Sequence, residues 1–170
     1  PTTFAGQLSQ KIFNIKNKTI KTIHNGLDLH YFQNSNPENF EKTVILYIGT
    51  IIRKKGVLEL PAIFNLVRQK HPGASLVLIG SDSFDITTQS QSTWELMQKE
   101  FKDNDFEKVS YLGKIPYQAV LEHLKKAHVC VFPTFAETLG MVTIESMAMQ
   151  KTVVNSDIGS AKEMIVDGES

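Results

Sequence analysis

The stretch Phe132-Pro-Thr-Phe-Ala-Glu-Thr-Leu-Gly-Met-Val-Thr-Ile-Glu-Ser-Met-Ala-Met149 decides the fold, because it joins a buried strand to a helix through a short loop. Its first residue ends an apolar run, and Met141 and Ile144 begin a helical spacing of apolar residues. Two carboxylates, Glu137 and Glu145, lie on either side of the join. The rest of the chain is therefore interpreted around this strand, loop and helix.

A helix that starts near Gly140 offers a site for an anion. Its first backbone N–H groups have no intrahelical acceptor and carry the positive end of the helix dipole, and a glycine lets a ligand approach the backbone closely. Glu137 and Glu145 would repel a phosphate, but they can accept hydrogen bonds from hydroxyl groups on either side of it. A ligand of that kind is a sugar nucleotide. The alternative is that both glutamates only complement the helix dipole, and the pair alone leaves this open.

Length and composition are those of one globular domain. The chain has 170 residues, of which 41% are hydrophobic and 21% charged. Its 18 Lys and Arg residues equal its 18 Asp and Glu residues, so no bulk basic field favours nucleic acid or an anionic membrane as partner. The single cysteine, Cys130, lies in an apolar run and is predicted to be a buried, inert thiol.

Targeting signals are missing from the sequence. It contains no signal peptide and no apolar run long enough to span a bilayer, which predicts a cytoplasmic protein. There is no initiating Met, and the chain stops in a turn at residues 167–170. We therefore expect that neither end is a natural terminus.

Strands and helices alternate along the chain. Apolar runs predict strands at residues 44–48, 75–79, 109–112, 129–132 and 152–155, with a shorter strand at 19–24. Helical spacing predicts helices at residues 2–14, 57–70, 94–101 and 117–127 and in the central helix, and polar residues 81–92 favour a mobile loop. This order predicts an α/β fold, a Rossmann-like parallel sheet with helices on both faces. Ligands bind such sheets beyond the carboxyl ends of the strands, at a switch in strand order.

The segment Gly49-Thr-Ile-Ile-Arg-Lys-Lys-Gly56 follows the first of these strands. Its three consecutive cations, bounded by glycines at the end of a strand, indicate a clamp for a diphosphate, because a buried anion needs paired charge. A solvated basic loop is the alternative.

These motifs together resemble those of a known family. The resemblance is to the motif of retaining glycosyltransferases with the GT-B fold. It is carried by Glu137 and Glu145, which have seven residues between them, and by the following Ser146-Met-Ala148 and short strand. These enzymes are related to glycogen synthase and to the group 1 bacterial mannosyl-, glucosyl- and galactosyltransferases that build polysaccharides. The segment Asn25-Gly-Leu-Asp-Leu-His-Tyr-Phe32 resembles the crossover between their two domains.

The resemblance covers the chain from about Asn25 to Ser170 and implies a domain plan. Residues 1–24 would be the tail of an N-terminal acceptor domain, 25–41 the interdomain crossover, and 42–170 a nucleotide-sugar donor-binding domain, the C-terminal half of a GT-B enzyme, truncated at its own C-terminus.

The resemblance also implies site residues. Those expected to be catalytic, through the sugar hydroxyls or the diphosphate, are Glu137, Lys55 and Arg53. Those expected to bind the donor are Gly49, Thr50, Gly113, Ile115, Gly140, Met141, Val142, Thr143 and Glu145, with Glu145 on the ribose and the segment around Ile115 on the base.

The sequence departs from the family pattern in two places. The family has an arginine directly after the first glycine of the basic loop, where this chain has Thr50, and Arg53 is expected to supply that charge from further along. Gln150 and Thr152 stand where the family usually has Gly and Pro.

The implied reaction is transfer of a sugar from a nucleotide diphosphate sugar, with retention, to a saccharide or lipid-linked acceptor in polysaccharide or glycolipid biosynthesis. No cofactor and no metal are expected, because no aspartate pair has the spacing of a metal-diphosphate site and the five histidines have no ligand spacing. The fragment is expected to bind donor but to be inactive alone, and the longer protein to contact the inner face of the membrane peripherally.

Two other classes stay open from sequence. One is a non-catalytic module that binds a nucleotide sugar, and the other is a different GT-B enzyme, an epimerase or a phosphorylase. A nicotinamide dinucleotide is not favoured, because the chain lacks Gly-x-Gly-x-x-Gly. The base, the sugar and the acceptor are not encoded in any motif that we recognise.

Overall fold

A computed structural model describes residues 2–168. Its strands are β1 (Val44–Ile48), β2 (Ser75–Ile79), β3 (Val109–Tyr111), β4 (Val129–Phe132) and β5 (Thr152–Asn155). Its α-helices are α1 (Thr3–Ile12), α2 (Leu60–Lys70), α3 (Thr93–Gln98), α4 (Asp103–Phe106), α5 (Tyr117–Lys126) and α6 (Met141–Ala148). Three short 3-10 turns cover Arg53–Lys55, Val57–Glu59 and Gly159–Glu163.

The five strands form one parallel sheet in the order β3-β2-β1-β4-β5. The chain moves outward from β1 to β3 and then returns to the other side of β1 to place β4. The strand order therefore switches between β1 and β4, which is the position where such sheets bind ligands. This confirms the α/β, Rossmann-like parallel sheet predicted from sequence.

The direction of the crossovers puts helices on both faces of the sheet. Parallel crossovers are right-handed, so α2, α3 and α4 cover one face while the chain runs from β1 to β3. The chain then proceeds in the opposite direction, and α5 and α6 cover the other face. The central strands β1, β2 and β4 are largely buried, with Leu46, Leu78 and Cys130 fully enclosed, whereas the edge strand β5 is partly exposed.

One predicted strand was wrong. Residues 19–24 have the composition of a strand but take no strand conformation, because none of the five strands hydrogen-bonds to them. A strand exists only with a partner, and propensity alone cannot supply one.

The predicted helix at 57–70 begins with the 3-10 turn Val57–Glu59 and becomes α-helical only at Leu60, where Pro61 occupies the first turn. The predicted helix at 94–101 is shorter and one residue earlier, because the Ser92 hydroxyl accepts a hydrogen bond from the amide of Glu95. The short α4 was not predicted.

The loops after β1 and β4 approach each other closely at Gly56. This residue has φ +67°, in the left-handed region, and a Cβ placed on it would lie 1.7 Å from the carbonyl oxygen of Pro133. Only glycine fits both the backbone conformation and the space. The contact brings together the two loops at the switch in strand order.

Replacing Gly56 by alanine should therefore destabilise the fold. We expect Gly56→Ala to lower the free energy of unfolding by at least about 2 kcal/mol, because a left-handed alanine alone costs about 1–2 kcal/mol and the overlap with Pro133 adds to it. Urea denaturation measures the change.

Two other glycines serve as controls. Gly113→Ala has the same left-handed strain without a nearby atom and should cost about 1 kcal/mol. Gly26→Ala has no nearby atom and no positive φ, and should stay within about 0.5 kcal/mol. Equal losses for Gly56→Ala and Gly113→Ala would show that the close approach is not needed.

Candidate functional site

A cleft of about 630 Å³ opens at the carboxyl edge of the sheet, between the loops that follow β1 and β4. Its floor includes Tyr47 and Phe132 from the strand ends. Several predicted site residues line it together, although they come from separate segments: Gly49, Thr50, Lys55, Glu137, Gly140, Met141, Val142 and Thr143. The cleft therefore lies at the switch in strand order.

The amino end of α6 forms one wall of the cleft. Gly140 precedes the helix with φ +73°, and no side chain caps it. The first hydrogen bonds of the helix run from the amides of Thr143 and Ile144 to the carbonyl of Gly140. The preceding amides of Gly140, Met141 and Val142 have no intrahelical acceptor, and this end of α6 is suited to an anion.

Lys55 and Glu137 face each other across the cleft and form an ion pair. Their side chains are only 26% and 21% exposed. Glu137 also accepts a hydrogen bond from the amide of Thr138 at 2.9 Å. The predicted cation and the predicted sugar-binding carboxylate are therefore direct partners in this structure.

The ionisation of Glu137 follows from these contacts. Burial raises the pKa of Glu137, but the hydrogen bonds from Lys55 and from the backbone amides of Thr138 and Leu139 lower it by more. The net pKa of Glu137 therefore lies below its ordinary value. Glu137 is consequently a charged acceptor at neutral pH.

Glu145 lies on α6 outside the residues that line the cleft, near the hydroxyl group of Tyr117. Burial raises the pKa of Glu145, and the hydrogen bond from Tyr117 opposes this only in part. Tyr31 stacks on Tyr117 with ring centroids 6.4 Å apart. The sequence did not single out either tyrosine.

Arg53 does not reach the cleft. Its guanidinium donates to both oxygens of Asp85, at 2.8 and 2.9 Å. The hydrogen bond and the charge of this partner raise the pKa of Arg53, and the same contact lowers the pKa of Asp85. The sequence analysis assigned no role to Asp85, because nothing in the sequence connects it to a residue 32 positions earlier.

Gly113 and Ile115 follow β3, two strands away from the switch, and do not line the cleft. The carbonyl of Gly113 accepts a hydrogen bond from the amide of Gly80 at 2.9 Å, and Ile115 packs against the core. Their predicted contact with a base is not tested by these positions and stays a prediction.

Segments at both ends of the described chain contribute to the cleft. Ala5 of α1 and Asn25 line it, and the Thr2 hydroxyl donates to the carbonyl of Thr138 at 2.7 Å. The carboxylate of Glu163 accepts hydrogen bonds from the first amides of α1. Helix α1 thus packs against the 3-10 turn Gly159–Glu163, although its assignment to a separate acceptor domain stays a prediction.

Within residues 2–168, His, Cys, Asp and Glu side chains form no group of three that could hold a metal ion. In the same part of the chain, no helix is both long enough and apolar enough to cross a bilayer.

The fold and the cleft define an α/β domain with a site suited to an anion at its switch in strand order. A sequence profile of the family described as "Glycosyl transferases group 1" matches residues 31–170. The chain belongs to this family, as the sequence resemblance indicated.

Among the curated relatives, two illustrate the similarity. Glycogen synthase of Mycobacterium tuberculosis is 27% identical over 126 residues, which are 74% of this chain and 28% of that protein. The capsular polysaccharide biosynthesis glycosyltransferase CapM of Staphylococcus aureus is 27% identical over 161 residues, 86% of this chain and 38% of that protein. This chain therefore spans well under half of the length of either relative.

A solved structure has the same fold. HepE from Anabaena, crystallised in complex with UDP and glucose, superposes with a TM-score of 0.71 and 21% identity. The match covers 95% of this chain and 45% of that one.

The Lys55–Glu137 pair predicts how stability depends on pH. The pKa of Glu137 in the folded protein lies below its ordinary value. The ionised carboxylate therefore contributes to the free energy of unfolding above the ordinary pKa, and this contribution is lost as the pH falls through the folded pKa. We expect Glu137→Gln to lower the free energy of unfolding at pH 7 by about 1 kcal/mol, since the pair is partly exposed. The deficit should disappear in acid, as followed by urea denaturation at several pH values.

Glu122→Gln is the matched control, because Glu122 also pairs with a lysine but is 57% exposed. It should change stability by less than about 0.5 kcal/mol at any pH. A Glu137→Gln deficit that grew as the pH fell would contradict the assigned ion pair.

Proposed function

We propose that this chain binds the donor in a glycosyltransferase that moves a sugar from a nucleotide diphosphate sugar to an acceptor, with retention of anomeric configuration. Its family membership and the name of the relative CapM support a role in polysaccharide or glycolipid biosynthesis. The sequence resemblance supports a cytoplasmic location with peripheral contact at the inner face of the membrane.

One observation carries the proposal. The amides of Gly140, Met141 and Val142, which have no intrahelical acceptor, lie in one cleft with the ammonium of Lys55 and the carboxylate of Glu137, at the switch in strand order. Positive donors and a single charged acceptor side by side suit a ligand that has phosphates next to hydroxyls.

Entry of the donor would rearrange the ion pair. The diphosphate carries more negative charge than one carboxylate, so it competes with Glu137 for Lys55. Glu137 would then be released to accept hydrogen bonds from sugar hydroxyls, while the amides of Thr138 and Leu139 continue to orient it. The pair thus keeps both groups charged and positioned before the donor arrives.

Catalysis in this arrangement would be mainly electrostatic. As the bond between the anomeric carbon and the diphosphate oxygen breaks, negative charge grows on the leaving nucleotide diphosphate. Lys55 and the amides of α6 lie where they can stabilise that charge, and removal of one such donor costs about 3 kcal/mol of transition-state stabilisation. The proposal assigns the required positive charge to these groups and not to a divalent cation.

The nucleoside would extend from the cleft toward Glu145. In this proposal the Glu145 carboxylate binds the ribose hydroxyls, and the Tyr117 hydroxyl lies near that carboxylate. The backbone around Gly113 and Ile115 would then meet the base. The segment with Gly113 and Ile115 follows β3 of the same parallel sheet and leads into α5 at Tyr117, which lies near Glu145, and this supports the order.

The acceptor is proposed to bind outside the described residues. The chain spans 28% and 38% of its two curated relatives, so these proteins contain much sequence that it does not match. We propose that the 170-residue chain binds the donor without transferring its sugar, and that transfer belongs to a longer protein that includes the acceptor site.

Donor binding is testable with this chain. UDP, GDP, ADP and their sugars should be compared by thermal shift, and a nucleotide at a hundred times its dissociation constant should stabilise the fold by about 2.7 kcal/mol, or about 5–10 °C. Lys55→Ala should weaken binding of the best nucleotide about 10- to 100-fold, because a charge-assisted contact is lost. Lys54→Ala is the control, since Lys54 is adjacent but exposed. Equal effects of the two variants would contradict the proposed site.

A non-catalytic nucleotide-sugar module is the rival class. Glu137→Ala in the longer protein separates the two, because a transferase should lose about 100-fold or more in turnover when the sugar is no longer held in place. Unchanged activity of that protein after Glu137→Ala would favour the binding module. Glu122→Ala on the exposed face of α5 should leave turnover unchanged in either case.

A further inference from the structure

The loop of residues 81–92, which follows β2, is tied to the loop that carries Lys55. The amide of Ile51 donates to the carbonyl of Ser81 at 2.8 Å, and Ile51 pairs with Asp82 as an isolated parallel bridge. Gly80 lies against Gly49 so closely that a Cβ on Gly80 would be 1.9 Å from the Gly49 carbonyl oxygen. The two loops therefore form one packed unit at the carboxyl edge of the sheet.

Asp85 lies at the centre of this unit. Its side chain is only 2% exposed and accepts hydrogen bonds from Arg53 at 2.8 and 2.9 Å. The amide and the hydroxyl of Thr88 donate to the same carboxylate at 2.9 and 2.7 Å. A buried carboxylate needs such partners, and here four donors satisfy it. The carboxylate of the pair is thus buried and fully hydrogen-bonded, while the Arg53 side chain is 40% exposed.

Arg53 begins the 3-10 turn that ends at Lys55. The amide of Gly56 donates to the carbonyl of Arg53 at 2.9 Å, and the amide of Phe135 donates to the carbonyl of Lys54 at 3.0 Å. The turn is thereby held between the loop after β2 on one side and the loop after β4 on the other. Anchoring the Arg53 side chain fixes the rotation of the turn and so the direction in which Lys55 extends.

We propose that Arg53 is a positioning residue, which acts on the donor through Asp85 by holding Lys55 at the diphosphate, and does not itself bind phosphate. The inference depends on the proposed function, because it takes the diphosphate to bind at Lys55. It also gives the loop of residues 81–92 a purpose: this loop supplies the buried carboxylate that orients the basic turn.

The test compares Arg53→Gln, Asp85→Asn and the double variant of the 170-residue chain by calorimetric titration with UDP, GDP and ADP. Positioning predicts that each single change weakens the best nucleotide about 10-fold, and that the double variant is no weaker than either single one. Direct phosphate binding by Arg53 predicts that Arg53→Gln loses affinity while Asp85→Asn keeps or gains it. That second result would overturn the inference.

The pair Arg68 and Asp105 is a matched control, because it is also an arginine–aspartate pair, at 3.1 Å, but joins α2 to α4. Arg68→Gln should leave nucleotide affinity unchanged at temperatures where the variant is folded. Affinity losses as large in Arg68→Gln as in Arg53→Gln would show a general loss of stability and would refute positioning.

Arg53→Lys is the replacement test of positioning if Asp85→Asn does not fold. A lysine keeps the charge but cannot donate to both oxygens of Asp85 in the same way, so positioning predicts almost the full loss of Arg53→Gln. Substantial retention of affinity in Arg53→Lys would indicate that charge near the phosphate is what matters and would contradict the inference.

A readout without ligand separates this inference from the proposed function. Carbon NMR of the Glu137 carboxyl group reports whether Lys55 is still held against it. The titration midpoint of Glu137 should rise in Arg53→Gln and in Asp85→Asn, but not in Arg68→Gln. If no nucleotide binds the unmodified chain, the proposed function fails while this titration still decides the positioning role; an unchanged midpoint overturns it.

Discussion

The contact between the loops after β1 and β4 is the constraint on which the site depends. Gly56 lies directly against the carbonyl of Pro133, and this contact sets Lys55 opposite Glu137. The same loop after β4 leads into α6, whose first amides, without an intrahelical acceptor, complete the cleft. A residue larger than glycine at position 56 would separate the two strand ends and, with them, the cation from both the carboxylate and the helix amides.

The three consecutive cations at the end of β1 have three different environments. Arg53 pairs with buried Asp85, Lys54 is exposed, and Lys55 pairs with Glu137 inside the cleft. Because the 3-10 turn directs neighbouring side chains in different directions, the three cations do not line the cleft together. Of the three cations, only Lys55 lines the cleft. Its partner in this structure is Glu137, which the proposal assigns to the sugar of the same donor.

Local patterns predicted the sheet well because they depend on the chain itself. Apolar runs mark the largely buried strands β1, β2 and β4, and these strands and the more exposed β5 have the predicted bounds. The start of α6 at Met141 followed from Gly140 and the apolar spacing. The cleft at the strand ends followed from the parallel order, whereas the choice of Lys55 among the three cations came from the family resemblance.

Features that depend on distant partners could not be predicted in this way. Residues 19–24 have a strand composition but no partner strand. Arg53 extends away from the cleft because Asp85, in a polar loop, is buried beside it. Tyr117 of α5 lies near Glu145 of α6, and the packing of α1 against residues near Glu163 joins opposite ends of the described chain. None of these contacts has a signal in the spacing of residues.

A crystal structure of the chain with its best-binding nucleotide diphosphate tests the central claim most directly. The account predicts phosphate oxygens within hydrogen-bond distance of Lys55 Nζ and of at least one amide of Gly140, Met141 or Val142, with the Glu137 carboxylate free of Lys55. A nucleotide bound elsewhere, such as the groove between α1 and Phe135, with the Lys55–Glu137 pair intact, would contradict it.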